Sequence, residues 1–318
     1  MYTSNILIAF ADRSMSSNEL GLGNSSEASN SSSAYIPVTM GINSGGNVTM
    51  TSNNVTSVDK PDPLISLTVP ALMFASGVFG NVLAIIVLLR SSRDHKRTVF
   101  YRLVGALACT DLFGTCATSP ITLAVYANKF KWVGGEPLCQ YESFMLIFVG
   151  FSAVFIIGAM AVDRFVAILC PFFYDLHVTR RRAVYGIMGL WGFAAFLGLL
   201  PIFGLGKNVK QFPGTWCFFT FVSSELKNQI FAYMYSCIGL SVILMTACFN
   251  VLVTLTLLKM RRNAVSVGNV KRHDSELQMM VLLLGIIITF ATCWCPFLVG
   301  YFVCLFFILV NNGELSVK

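Results

Sequence analysis

Residues 138–169 read LCQYESFMLIFVGFSAVFIIGAMAVDRFVAIL, and they form the strongest structural signal in the chain. No charged side chain lies between Glu142 and Asp163. Such a run is long enough for an α-helix to cross about 30 Å of hydrocarbon, which takes about 20 residues. Similar runs recur along the chain with short polar connections between them. Together they predict six membrane spans, at 64–89, 101–127, 138–169, 183–206, 230–258 and 278–310.

The composition also favours a membrane protein. Of the 318 residues, 55% are hydrophobic and 12% are charged, and the mean hydropathy is +0.71. Soluble proteins have about 25% charged residues, so this chain has too little polar surface to solvate a soluble fold. We therefore expect an all-α membrane protein in a lipid bilayer. The net charge of +7 indicates basic loops beside the membrane rather than a nucleic-acid-binding surface.

The orientation follows from lysine and arginine residues, which accumulate in short cytoplasmic loops. They cluster after the first, third and fifth spans, so we predict that these ends are cytoplasmic and that the amino terminus is extracellular. The clusters are Arg90, Arg93, Lys96, Arg97 and Arg102; Arg180, Arg181 and Arg182; and Lys259, Arg261, Arg262, Lys271 and Arg272.

Residues 1–63 are rich in Ser, Asn, Thr and Gly and contain almost nothing to bury, so we expect a disordered extracellular tail without a cleaved signal peptide. The tail has four Asn-x-Ser/Thr sequons and is expected to be glycosylated. The acceptors are Asn24, Asn30, Asn47 and Asn54. The helical bundle would then occupy 64–310, and 311–318 would form a short terminal tail.

Asp111 lies in the middle of the second span, where an ionised carboxylate costs about 2.5–3.5 kcal/mol on insertion scales. It must therefore face the interior of the bundle. Two compatible interpretations remain open. Asp111 forms a buried hydrogen bond with Asn81 on the first helix, or it forms an ion or proton site whose occupancy biases two arrangements of the bundle.

Asp163 and Arg164 end the third span at its predicted cytoplasmic mouth. Arg164 could simply extend to the lipid head groups. However, Glu276 at the start of the sixth span lies at the same predicted depth, and an Arg164–Glu276 ion pair that opens and closes would be a switch. Pro296 kinks the sixth span, and Trp294 places a bulky ring beside the kink, where it could couple a cavity above to helix motion below.

Two of the ten cysteines, Cys139 and Cys217, are predicted on the extracellular side. There they can form a disulfide that pins the loop before the fifth span over the mouth of the bundle. The other eight fall within spans or near the inner face, where we expect reduced cysteines that act as small hydrophobic residues.

Together these elements resemble the rhodopsin-like G-protein-coupled receptors. The matching residues are Gly80-Asn81, Asp111, Cys139, Asp163-Arg164, Trp191, Cys217 and Cys293-Trp294-Cys295-Pro296. Phe165 stands where that family usually has Tyr after the Asp-Arg pair, while Arg164 retains the charge that a switch needs. The resemblance implies a seven-helix receptor bundle that couples to a heterotrimeric G protein.

The loop before the fifth span is similar to the signature loop of the prostanoid receptors, in 211–218 (QFPGTWCF). Further stretches resemble the prostaglandin E2 receptors of subtype 4: 110–115 (TDLFGT), 119–122 (SPIT), 134–139 (GGEPLC) and 275–279 (SELQM). This resemblance implies a plasma-membrane receptor for prostaglandin E2 or a related prostanoid that acts through cyclic AMP.

The same resemblance implies the ligand-binding residues. Tyr126 near the outer end of the second span and Thr215 in the loop match positions that bind the ligand carboxylate in that family. Thr122, one helical turn from Tyr126, and Ser143 on the third span are further candidates. We expect Phe218 and the neighbouring Trp216 to pack the loop rather than to contact ligand.

Six spans would leave the carboxyl terminus outside, whereas the resemblance requires a seventh helix with an Arg for the ligand carboxylate and an Asp-Pro motif facing Asp111. We therefore expect a chain truncated after helix six, through intron read-through, a splice variant or an incomplete gene model. Loss of that Arg would remove a charge-assisted hydrogen bond of roughly 1.5–3 kcal/mol, so this chain alone is expected to bind weakly. The alternatives to a signalling receptor are a decoy or a dimer partner.

Two other classes of protein are disfavoured. A small membrane transporter would need paired polar residues along several spans or an internal repeat, and the sequence contains neither. An enzyme is not expected, because the three histidines lie in predicted cytoplasmic loops and no nucleophile has a companion base. We also expect no metal or cofactor.

Overall fold

A computed structural model describes residues 38–42, 48–52, 63–90, 98–211, 214–221, 223 and 225–265, together with 285, 288 and 292. Six helices and four strands lie in this part of the chain. In order they are β1 (Val38–Ile42), β2 (Val48–Ser52), α1 (Pro63–Arg90), α2 (Val99–Ala127), α3 (Gly135–Leu169), α4 (Pro171–His177), α5 (Arg180–Leu199), β3 (Asn208–Gln211), β4 (Trp216–Phe219) and α6 (Leu226–Val265).

Five of these helices, α1, α2, α3, α5 and α6, are long and apolar enough to cross a membrane. They coincide with the first five predicted spans and confirm the helical bundle. The sixth predicted span, 278–310, lies outside the described residues except at Gly285, Ile288 and Thr292. These three are helical, and the Thr292 hydroxyl donates a hydrogen bond to the Ile288 carbonyl over 2.8 Å.

The fourth span ends earlier than predicted, at Leu199 rather than at residue 206. Pro201 has no backbone N–H to continue the helical ladder, and Gly204 adopts a φ of 98° that favours glycine. The chain therefore leaves α5 through turns. Apolar residues beyond Leu199 extended the prediction, because hydropathy alone does not register the end of a helix.

The central element of the bundle is α3, which packs against α2, α5 and α6, whereas α1 packs against α2. Gly114 allows α2 to approach α3 closely, because a Cβ at this position would lie 2.6 Å from Val149 Cγ1. The core of the outer half is largely aromatic. Its buried members include Phe151, Phe155, Phe218, Phe219, Phe231 and Tyr235.

The core of the inner half is largely aliphatic, and it joins α2, α3, α5 and α6. Its buried members are Val99, Phe100, Leu103, Ile156, Ile157, Met160, Ile187, Val253 and Leu257. Both ends of α3 are thus embedded in packed side chains, which fixes the position of any group that α3 carries.

The amino-terminal tail contains a hairpin in which β1 and β2 pair antiparallel, with Met40 opposite Met50. This differs from the expectation of a tail without secondary structure. Valine, isoleucine and threonine favour strands, and here they flank a Gly-Gly dipeptide that favours a turn, so local propensity outweighs the polar composition. The four predicted glycosylation sites lie outside the described residues.

Candidate ligand site and cytoplasmic switch

A short hairpin covers the outer end of α3. Its strands β3 and β4 pair antiparallel, with Lys210 opposite Cys217 and Gln211 opposite Trp216. The Gln211 side chain is buried and donates to the Phe219 carbonyl over 3.0 Å, which braces the two strands. We refer to β3 and β4, together with residues 214 and 215 of the turn between them, as the roof.

The predicted disulfide between Cys139 and Cys217 is present and ties the roof to the first turns of α3. Both cysteines are almost completely buried. The five other described cysteines, which include Cys109 and Cys170, are free, as predicted, and they are exposed on the surface of the described protein. In a bundle that spans a membrane, lipid takes the place of protein around such positions.

The phenylalanines of β4 and the next residues fill the space between α3, α5 and α6. Phe218 and Phe219 are each 1% exposed. The Phe219 ring lies 4.9 Å from Tyr235, and Tyr235 in turn lies 4.7 Å from Phe151 on α3. This aromatic packing agrees with the expectation that Phe218 holds the loop in place.

Thr215 lies in the turn before β4 and is 4% exposed. No hydrogen bond of its side chain is present among the described residues, so the hydroxyl is available to a ligand. Tyr126, near the outer end of α2, is half-buried, and its ring lies 5.0 Å from that of Phe130. Thr122 is also half-buried on α2.

Ser143 has a different environment from the other three ligand-binding candidates. It is fully buried, and its hydroxyl donates to Asn208 Oδ1 over 2.7 Å. Ser143 therefore connects α3 with β3, and in this structure its hydroxyl is engaged with the roof rather than free for a ligand.

Sequence reasoning missed Glu142. Its side chain is 2% exposed, and its carboxylate accepts a hydrogen bond from the backbone N–H of Cys217 over 2.7 Å. A signal was available, because an acidic residue bordering an apolar run is expensive in a membrane unless it has a partner. The partner is a backbone group far along the chain, which no local pattern reveals.

At the cytoplasmic end of α3, Asp163 and Arg164 form an ion pair, with Arg164 Nε 2.9 Å from Asp163 Oδ2. Asp163 is 7% exposed. The Arg164 guanidinium lies 4.8 Å from the ring centre of Phe100 on α2, a distance that allows a cation–π contact. Arg164 therefore points into the protein and not to the lipid head groups.

Tyr174 on α4 completes this cluster. Its hydroxyl donates to Asp163 Oδ1 over 3.0 Å. Burial, and then the Asp163 charge and hydrogen bond, raise the pKa of Tyr174 from 10.0 to about 12, so the hydroxyl remains a donor at physiological pH. Phe165, which follows Arg164, stacks on Phe249 of α6 at 4.6 Å.

The other residues of the predicted switch, Glu276, Trp294 and Pro296, lie outside the described residues. The Arg164–Glu276 ion pair therefore stays a prediction. Among the described residues, Arg164 pairs with Asp163.

Asp111 and Asn81 do not form the hydrogen bond that one interpretation predicted. The Asn81 amide donates instead to the Gly77 carbonyl of its own helix over 2.9 Å. The polar link near Asp111 is made by its neighbour Thr110, whose hydroxyl accepts from the Trp191 indole N–H over 3.0 Å. Within the described part of the chain, no group of three His, Cys, Asp or Glu side chains could hold a metal ion.

The central helix of the bundle has a disulfide-bonded roof at one end and an Asp-Arg pair at the other. Together with the apolar helices around it, this arrangement defines the class of seven-helix membrane receptors. Residues 80–316 match the family described as 7 transmembrane receptor (rhodopsin family). The chain belongs to this family, which consists of receptors and not of enzymes.

Within this family, the chain is similar to prostaglandin E2 receptors. The chain is 39% identical over 233 residues to the bovine prostaglandin E2 receptor EP4 subtype and 41% identical over 217 residues to the human one, which cover 72% and 67% of this chain. It is 31% identical over 252 residues, 74% of its length, to the human prostaglandin E2 receptor EP3 subtype. The matches cover 47%, 44% and 64% of these relatives, so the chain spans about half the length of the EP4 relatives it matches.

Among solved structures, squid rhodopsin has the same fold. The TM-score is 0.67 at 18% identity, over 78% of this chain and 74% of the other. The fold prediction of a rhodopsin-like receptor bundle is confirmed.

Proposed function

We propose that this protein is a plasma-membrane receptor for prostaglandin E2 or a closely related prostanoid, with its amino terminus outside the cell. The similarity to EP4 and EP3 receptors supports the ligand class. The distribution of lysine and arginine over the connecting loops supports the orientation.

The observation that carries this proposal is the environment of Thr215. Thr215 is 4% exposed and lies two residues before Cys217, whose disulfide fixes the roof to α3, and no hydrogen bond of its hydroxyl is present among the described residues. A rigidly held hydroxyl that no described protein group engages can donate to an acceptor such as a carboxylate. The Tyr126 hydroxyl on α2 would supply a second donor.

Signalling would use the opposite end of α3. In the resting state Asp163 holds Arg164, and Tyr174 holds Asp163. Ligand that binds more tightly to a second arrangement of the helices would shift the population toward it and release Arg164. A G protein would then bind among the basic loops and raise cyclic AMP.

The test is cyclic AMP accumulation in cells that lack other prostanoid receptors and express the protein. Prostaglandin E2 is expected to raise cyclic AMP, and Thr215→Ala or Tyr126→Phe is expected to increase the half-maximal concentration by about 10- to 100-fold, as for loss of a hydrogen bond to a charged group. Tyr141→Phe is the matched control, because Tyr141 is 43% exposed on the outer part of α3. An unchanged response in the first two variants would contradict the assigned site. No response in the wild-type protein at the cell surface would contradict the function.

A further inference from the structure

The outer end of α3 holds both strands of the roof, and it does so with more than the disulfide. Two side chains of α3 bind Asn208 at the start of β3. Gln140 Oε1 accepts from Asn208 Nδ2, and Ser143 donates to Asn208 Oδ1 over 2.7 Å. Asn208 is 3% exposed, so both hydrogen bonds are shielded from water.

On β4, Cys217 is held twice. Its sulfur is bonded to Cys139, and its backbone N–H donates to the Glu142 carboxylate over 2.7 Å. Cys139 and Glu142 are three residues apart on α3 and therefore lie on the same helical face. The two attachments use different atoms of Cys217, so breaking the disulfide leaves the hydrogen bond intact.

The Glu142 attachment is shielded from water. Glu142 is 2% exposed, and burial removes the competition from water, which strengthens a hydrogen bond between protein groups. Glu142 makes no ion pair with any described residue, so the Cys217 N–H is the group that satisfies its carboxyl oxygen there.

We propose that Glu142 is a positioning residue that holds the roof on α3 independently of the disulfide. The roof, including Thr215, then stays in place when Cys139 and Cys217 are reduced or absent. The consequence for ligand binding rests on the proposed function, whereas the attachment itself does not.

The test is hydrogen–deuterium exchange of the peptide over 214–221 in the purified protein in lipid nanodiscs. Removing the disulfide alone, with Cys139→Ala and Cys217→Ala, is expected to change the exchange rate by less than about threefold. Adding Glu142→Leu is expected to raise it by about tenfold or more, because it removes the acceptor of the Cys217 N–H and leaves that buried donor unpaired. Adding Glu142→Gln, which keeps a side-chain oxygen acceptor at the same distance from the helix, is expected to raise it by less than about threefold.

Glu225→Leu in the same cysteine-free background is the control, since the Glu225 side chain is 55% exposed. The proposal is overturned if removing the disulfide alone abolishes protection, or if Glu142→Leu adds no more than the control. Should Glu142→Leu fail to fold, Glu142→Ala, which also lacks a side-chain acceptor, gives the answer, and an exchange rate equal to that of the cysteine-free parent contradicts the proposal. The exchange measurement needs no ligand, so it tests the attachment separately from the proposed function. If the exchange rates follow the expected pattern but the protein does not bind prostaglandin, the proposed function is contradicted and the attachment is still supported.

Discussion

The Tyr174 hydroxyl donates a hydrogen bond to Asp163 Oδ1 over 3.0 Å and so links the short helix α4 to the cytoplasmic end of α3. Asp163 also pairs with Arg164 through its other oxygen. The carboxylate is therefore satisfied on both sides, and any movement that frees Arg164 must also change the position of α4.

Replacing Tyr174 with Phe is expected to loosen α4. The substitution removes a hydrogen bond to a charged group, which contributes roughly 1.5–3 kcal/mol, while keeping the ring. Amide exchange over 171–177 should become faster by about tenfold or more. Tyr185→Phe is the matched control, because Tyr185 is 71% exposed. Equal exchange in the two variants would mean that the Tyr174–Asp163 bond contributes nothing to holding α4.

The Tyr174 bond also predicts a pH dependence. Burial of the hydroxyl, and then the Asp163 charge and hydrogen bond, raise the pKa of Tyr174 from 10.0 to about 12, so the neutral hydroxyl stabilises the fold fully below about pH 10, and this contribution disappears as the pH rises through about 12. The difference in phenolate absorbance between the wild type and Tyr174→Phe should titrate near pH 12. A midpoint near pH 10 would contradict the burial of Tyr174 beside Asp163.

The Trp191–Thr110 hydrogen bond is expected to fix α5 against α2. Thr110 is 4% exposed, and its hydroxyl also donates to the Ala106 carbonyl over 2.7 Å. Thr110→Val should leave the buried indole N–H without a partner and destabilise the protein by about 1–3 kcal/mol. Each kcal/mol lowers the unfolding midpoint by about 2–4 °C, as measured by thermal unfolding of the solubilised protein.

Trp191→Phe removes the other partner of the same hydrogen bond. It removes the indole donor, and the Thr110 hydroxyl can still donate to the Ala106 carbonyl. In a double-mutant cycle, the two substitutions together should therefore destabilise the protein by less than the sum of their separate effects. If the two destabilisations simply add, the Trp191–Thr110 hydrogen bond contributes nothing to stability.

Phe218→Ala is expected to be among the most destabilising changes in the roof. The ring is 1% exposed and packs against Phe219 and Tyr235, and truncating such a buried aromatic residue costs about 3–5 kcal/mol. Phe203→Ala is the control because Phe203 is 76% exposed. Similar unfolding midpoints for the two variants would contradict the packing of β4 into the bundle.

Much of the fold was predictable because a membrane imposes a simple rule. A helix must be apolar for about 20 residues, so each of the first five spans is visible in the sequence. The ends of the helices are less predictable, since α6 runs from Leu226 to Val265 whereas the predicted span was 230–258. Where α5 ends before the predicted residue, the reason is local. Pro201 and Gly204 stop the helix, and an average over hydropathy hides such single residues.

The site was only partly predictable. The Cys139–Cys217 disulfide could be predicted from the expected topology. Thr215 could be selected as a ligand-binding candidate from a sequence motif. Glu142 and Asn208 did not follow, because their roles depend on the docking of two four-residue strands onto α3, which is set by contacts distant in sequence. The role of Tyr174 was also missed, because its hydroxyl reaches Asp163 only after the chain turns at the start of α4.

The contact that Ser143 makes was not predictable from its place in the sequence. The family resemblance placed Ser143 among the ligand-binding candidates, and that role stays a prediction. In the structure its hydroxyl donates to Asn208 Oδ1 of the roof, and a position on a helix does not reveal which of several neighbouring elements the side chain will contact.

The central claim is that Thr215 in the buried roof binds the carboxylate of a prostanoid. The most direct measurement is the affinity of prostaglandin E2 and of its methyl ester for the wild-type protein and for Thr215→Ala. Esterification removes the ligand's charge, so it should weaken binding to the wild type by about tenfold or more, and this penalty should shrink to within about threefold in Thr215→Ala. The same ester penalty in both proteins would contradict the claim.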